Sequence, residues 1–212
     1  RAGIMVLTER EKKKYFINRE ISWLSFNERV LQEALDQRNP VLERIRFLGI
    51  FSNNMDEFFR VRVSTMKRMV QLGKKGKSLL GVGSPEEVLK EIQRIAVRMQ
   101  SLHQQTYKKL VDELRDHNIY MVNEKMITED QGEFIWNYFH QHIIQDVVPI
   151  MLHNEQEEFP YLKDKAIYFV TKLYSDDPTT KSDYALVELA DELPRFIVLP
   201  KKNNNKYIIL LD

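Results

Sequence analysis

The stretch from Asn39 to Gly73, NPVLERIRFLGIFSNNMDEFFRVRVSTMKRMVQLG, constrains the fold of this chain more than any other. It opens on Asn39-Pro40, and proline suits the first position of a helix because an N–H there would have no intrahelical partner. It closes on Gly73, a residue type at which helices stop. Between the two lie roughly 30 residues of helical pattern, about 45 Å of rod at 1.5 Å per residue. Leu42, Ile45, Leu48, Met55, Phe59, Met66 and Met69 form one apolar stripe. Phe47, Ile50, Phe51, Phe58 and Val61 form a second, and both advance in steps of three and four. Ser52-Asn53-Asn54 interrupts the middle with poor helix formers. Asn54 falls on the second stripe, four residues after Ile50 and four before Phe58.

An amide on a face that favours burial must be satisfied, because an unpartnered buried amide costs about 1–3 kcal/mol. One solution is structural: Asn54 fixes helix register or bonds a neighbouring backbone. The other is a ligand. The amide offers one acceptor and two donors on a single plane, and adenine presents a complementary donor–acceptor edge. Periodicity leaves both open.

The elements around this rod follow from local signals. Residues 1–14 read as a lead-in. Ser22 or Ser25 is expected to cap the first helix, with Glu28 three residues after Ser25. Trp23, Phe26, Val30 and Ala34 mark one edge of its apolar face, and Leu24, Leu31 and Leu35 the other. A face so wide packs against two helices. Ser84-Pro85-Glu86-Glu87 opens a third helix, with serine as cap and Glu87 completing a capping box. Val88, Ile92, Ile95, Met99, Leu102, Leu110 and Leu114 line one side of it as far as His117-Asn118. Three helices joined simply make an up-down-up bundle.

From Ile119 the period changes. Ile119 to Val122 is a short strand, and Thr128 with Gln131 caps a helix running through Phe139 and Ile143 until Val147-Val148-Pro149 ends it. Two-residue alternation follows over Ala166–Tyr174, Tyr184–Ala190, Arg195–Leu199 and Tyr207–Leu211. Turn-rich segments separate these strands at Asp176-Asp177-Pro178, Glu192–Pro194 and Asn203-Asn204-Asn205. The expected class is α+β: residues 1–118 a three-helix bundle, residues 119–212 the start of a mixed α+β domain. The last strand runs to Asp212 with no closing element, so its apolar face is expected to lack cover and the domain to be truncated.

Charge and composition remove several function classes. Lys+Arg 32 against Asp+Glu 31 gives a net charge of +1, too little for bulk attraction to nucleic acid or membrane. The absence of cysteine excludes thiolate chemistry and fits a reducing cytoplasm. No apolar run approaches the roughly 20 residues of a membrane span. The start, RAGIMVLTEREKKK, lacks the pattern of a signal peptide.

Other candidates for chemistry are weaker. Gly76-Lys77-Ser78 matches the tail of a phosphate-binding loop, but Gln71 stands where that motif needs glycine, and the segment follows a helix rather than a strand. Lys74, Lys75 and Lys77 then read as a solvated loop tip, with contact to a polyanion as the alternative. None of His103, His117, His140, His142 and His153 pairs at the four-residue spacing of a helical metal site. Asp56 and Arg60 are spaced for a surface ion pair, and Glu28 beside Arg29 reads as ordinary helix-surface charge.

The residues in question also carry a resemblance. YFINREISWLSFNERVL from Tyr15 to Leu31, Asn39-Pro40, ERIRFL from Glu43 to Leu48 and SNNMDEFFRVR from Ser52 to Arg62 closely resemble the start of bacterial polyphosphate kinase. Val148-Pro149-Ile150, Pro194-Arg195-Phe196 and Ile209 to Asp212 extend it more weakly, and Ile21 and Met55 stand where the family usually has leucine. The resemblance implies an enzyme that reversibly moves the terminal phosphate of ATP onto polyphosphate through a phosphorylated histidine. It implies that this histidine, the Mg2+ ligands and the phosphate ligands belong to later domains. No catalytic or metal-binding residue is then expected here, and residues 1–212 alone are expected to be inactive. Asn54 matches the family's ATP-binding asparagine, and Arg60 and Arg62 lie in the same motif, near nucleotide or phosphate. The implied partners are ATP and ADP, inorganic polyphosphate, and further copies of the chain in a dimer or larger oligomer. The implied location is the cytoplasm, with or without peripheral attachment to the membrane. The alternative is a structural scaffold or dimerisation region, with Asn54 only setting register.

Overall fold

The structure is a computed structural model describing residues 15–71, 84–152, 159–164, 166–174, 183–189 and 192–211. The lead-in, the glycine-rich loop with Lys74, Lys75 and Lys77, the Gly73 stop, His153, the Asp176–Pro178 turn and Asp212 lie outside these residues. The class is α+β. The chain divides into two compact units, with the change after Leu114.

The first unit is helical. Helix α1 spans Arg19–Leu35, and Asn18 caps it, its side-chain oxygen accepting from the Glu20 N–H at 2.9 Å. This corrects the expected serine caps. Asparagine is at least as good a cap, and the helix therefore starts earlier, leaving Ser25 to donate to the Ile21 carbonyl. Leu24, Asn27, Leu31 and Ala34 form its buried face, whereas Phe26 is exposed. Glu28 remains a surface charge, and its partner is Arg98 across the helix pair, whose Nη2 donates to it at 2.9 Å.

The long rod is unbroken from Val41 to Gln71 but is not uniform. Helix α2, Val41–Glu57, runs into a π-helical segment, Phe58–Val63, and then into helix α3, Ser64–Gln71. Pro40 occupies the N-cap. The π turn explains why the two expected stripes do not survive as drawn. Val41, Arg44, Leu48, Phe51 and Phe58 are buried in steps of three, four and seven; the next buried position is Val63, five residues on. An i→i+5 turn inserts one residue and moves the apolar stripe to a new phase. Phe59 and Val61, within the π turn, are exposed, as are Leu42 and Ile50 earlier on the rod. Ser52-Asn53-Asn54 stays helical.

Helix α4, Pro85–Glu113, begins as its sequence dictates, with Ser84 Oγ accepting from the Glu87 N–H at 3.2 Å. Val88, Ile92, Ile95, Met99 and Leu110 are buried along it. It tightens into a 3-10 turn at Leu114–His117, and Asn118 follows in the left-handed region at φ 57°, a conformation asparagine tolerates well. Helices α1, α2 and α4 each pack against the other two.

In the second unit β1, Ile119–Val122, pairs in parallel with β6, Asn205–Leu210, which is also antiparallel to β5, Phe196–Lys202. The final strand is thus the middle one of its sheet. Asn203 and Asn204, both at positive φ, form the two-residue loop of the β5–β6 hairpin. Helix α5, Glu129–Tyr138, carries the expected capping box, with the Thr128 N–H donating to Gln131 Oε1 at 3.1 Å. Tyr207, Ile209 and Leu211 pack into a core built on Ile143, Leu193 and Ile197, so the expectation that this strand's apolar face lacks cover is corrected. A second sheet, in the order β2-β4-β3, comprises Pro149–Leu152, Asp183–Leu189 and Ile167–Leu173. Strand β2 was not expected, because Val147-Val148-Pro149 reads as a helix stop. Proline is tolerated as the first residue of a strand.

Candidate functional site

The α1–α2 seam holds a ladder of side chains around Asn54. Asn27 on α1 is fully buried, and its Nδ2 donates to the Phe51 carbonyl at 3.3 Å. Asn54 Nδ2 donates in turn to Asn27 Oδ1 at 2.9 Å. Asn54 itself is half-buried, and its amide makes no other bond among the described residues. Asn53 is exposed. One turn along the seam the Trp23 ring stacks on buried Phe58, with centroids 4.6 Å apart and planes 8° apart. This contact clamps the π segment against α1 beside the amides.

Arg62 lies over the Trp23 ring at 5.7 Å, and its Nη1 donates to Glu20 Oε2 at 3.0 Å. Arg19 holds the other Glu20 oxygen at 2.8 Å. Burial alone would raise the Glu20 carboxyl, but the hydrogen bonds from Arg19 and Arg62 outweigh it and hold the group below its ordinary value. Arg60 points elsewhere, to Asp56 at 2.9 Å and Glu57 at 3.0 Å on its own helix. The two arginines of the motif are therefore not brought together on one target. Those carboxylates are mostly solvated, and pairs of that kind are worth about 0.3–0.5 kcal/mol. Arg60 can leave its partners at little cost, whereas Arg62 is tied to a buried carboxylate and an aromatic face.

On another side of the rod, a cavity of about 450 Å³ opens between α2 and α4, lined in part by Phe51, Met55, Gln100 and His103. His103 Nε2 lies 3.2 Å from Ser52 Oγ, and burial pushes the imidazole down against a backbone hydrogen bond with Leu48 that raises it. Sequence reasoning considered His103 as a metal ligand and did not find the cavity, whose walls come from two helices. It also missed Asn27, although the signal was present. Asn27 lies three residues after Leu24 and four before Leu31, the position on an apolar face that singled out Asn54.

The chain is similar to known proteins in both sequence and structure. Residues 16–122 match the polyphosphate kinase N-terminal domain, and residues 130–212 match the polyphosphate kinase middle domain. This chain belongs to the polyphosphate kinase family. It is 41% identical over 202 residues to polyphosphate kinase of Vibrio cholerae and 36% identical over 204 residues to that of Escherichia coli. Those alignments cover 94% and 95% of the chain but 28% and 29% of the relatives. A crystal structure of polyphosphate kinase from Porphyromonas gingivalis superimposes with a TM-score of 0.77 at 30% identity, over 92% of this chain and 28% of that one. The chain thus spans less than a third of the length of the polyphosphate kinases it matches. Among the described residues no group of three or more His, Asp or Glu side chains is placed to hold a metal ion. No helix among them is long and apolar enough to cross a membrane.

Proposed function

We propose that these residues form the nucleotide-contacting and middle region of an enzyme that reversibly transfers the terminal phosphate of ATP to polyphosphate, with Asn54 meeting the adenine. The observation that carries this reading is the unfinished bonding of Asn54. Its amide reaches Asn27 with one hydrogen and keeps its oxygen and second hydrogen for a partner, on a half-buried and therefore accessible side chain. A nucleobase edge supplies the missing donor and acceptor. Arg60 is the cation that a phosphate could draw away from its present partners, and Arg62 serves the seam. The described residues offer no donor set for the Mg2+ that ATP brings. Phosphohistidine chemistry and magnesium binding are assigned to domains beyond this region, and oligomer contacts to either unit.

The scaffold reading has its own support, since the bond to Asn27 already gives Asn54 a structural partner. Photolabelling the full-length enzyme with an azido-adenine analogue of ATP separates the two. ATP-protected label in residues 15–71 is the expected outcome. Label confined to residues outside 1–212 leaves the helical unit a scaffold. Residues 1–212 alone, incubated with ATP, are expected to form no acid-insoluble polyphosphate.

A further inference from the structure

We infer that Asn27 is a positioning residue that fixes which end of the Asn54 amide faces the nucleobase, and so selects a base edge that donates at its exocyclic position, as adenine does and guanine does not. The inference rests on the nucleotide reading of Asn54.

The argument begins at a backbone carbonyl, whose chemistry permits one role. The Phe51 oxygen can only accept, so the Asn27 group beside it, at 3.3 Å, is the NH2. That fixes the Asn27 amide and turns its oxygen toward Asn54. An oxygen there demands a donor, so Asn54 presents its own NH2, at 2.9 Å. Both side chains are amides whose two ends are nearly equal in shape, and either alone could flip. The carbonyl breaks that degeneracy, and the relay passes the choice outward. The Asn54 oxygen is consequently turned away from Asn27, and the open end of the amide leads with an acceptor. The 6-amino group of adenine satisfies an acceptor; the 6-oxo group of guanine sets oxygen against oxygen. Asn27 has no exposed surface and cannot touch the base. Its effect must pass through Asn54.

The test uses full-length enzyme with ATP and GTP as phosphate donors. It compares wild type with Asn54→Ala, Asn27→Leu and Asn27→Asp by kcat, KM and thermal unfolding. Leucine keeps the branched outline of asparagine, though it is larger, and releases Asn54 to present either end. Asn27→Leu is expected to lower the ATP-over-GTP ratio of kcat/KM about tenfold, the worth of one hydrogen bond, mainly through KM. Aspartate still accepts from Asn54, so Asn27→Asp is expected to keep the wild-type ratio even where its melting temperature falls. A purely structural Asn27 would lower stability in both variants and leave the ratio alone in both, which overturns the inference. A folded Asn27→Leu with unchanged selectivity does so as well, and so does an Asn27→Asp that loses it; the aspartate arm decides alone if the leucine variant does not fold. If instead Asn54→Ala leaves the KM for ATP unchanged, it is the nucleotide reading itself that fails.

Discussion

The polar clusters around Arg44 and Asn27, both buried in the helical unit, are built differently. At one end, Arg44 is 5% exposed, and its guanidinium is engaged at Nε and Nη1. Its Nε donates to the Ala34 carbonyl at 2.9 Å, and Nη1 meets both Glu113 oxygens at 2.8 and 2.9 Å. One side chain thereby joins the end of α1, the start of α2 and the end of α4. In the middle of the seam, Asn54 uses one hydrogen on Asn27 and keeps the rest of its capacity on a half-buried face. A buried polar group bonded to several elements at once holds a fold together. One that is held in place but left incomplete is ready for something that is not part of the fold.

The contrast can be broken or sharpened by substitution. The largest effect on stability is expected at Arg44. Arg44→Ala removes the buried cation of a half-buried ion pair and leaves the Ala34 carbonyl without its side-chain partner, a loss of about 3 kcal/mol read by chemical unfolding. Its KM for ATP at a temperature where the variant stays folded is expected to match wild type. Glu20→Gln comes next, at about 2 kcal/mol near neutral pH, because it weakens two charge-assisted hydrogen bonds at a buried carboxylate. The folded Glu20 carboxyl titrates below its ordinary value. Its contribution is therefore complete above the ordinary carboxylate range and is lost as pH falls through the folded value. Unfolding of wild type and Glu20→Gln should converge in acid, and a gap that persists at about pH 2 would contradict the pairing with Arg19 and Arg62. Arg60→Ala is the smallest, about 0.5 kcal/mol or less in stability, and any rise in KM for ATP or polyphosphate beyond that marks Arg60 as a phosphate contact.

How much of this was readable in advance depended on distance along the chain. The Ser84 cap, the Thr128–Gln131 box, the turn at Asn203-Asn204 and five of the six strands depend on residues a few positions apart, and local signals found them. Arg62 with Glu20 and Arg44 with Glu113 are 42 and 69 residues apart, and no local pattern announces such pairs. The π turn was unreadable for another reason: FFRVRV is as apolar as the stripe around it, and only the packing against Trp23 makes the phase slip visible. Asn54 was legible as a polar group on an apolar face. Its partner Asn27 carried the same signal, and the pairing needed the fold.

The most direct test of the contrast measures KM for ATP and melting temperature together, in full-length Asn54→Ala with Asn53→Ala as control. The account predicts that Asn54→Ala raises KM about tenfold, the effect of one lost hydrogen bond, in addition to a fall in melting temperature from the buried Asn27 oxygen left without its donor, with an unchanged Asn53 control. A lowered melting temperature with KM unmoved would make Asn54 a structural residue like Arg44, and the helical unit a scaffold.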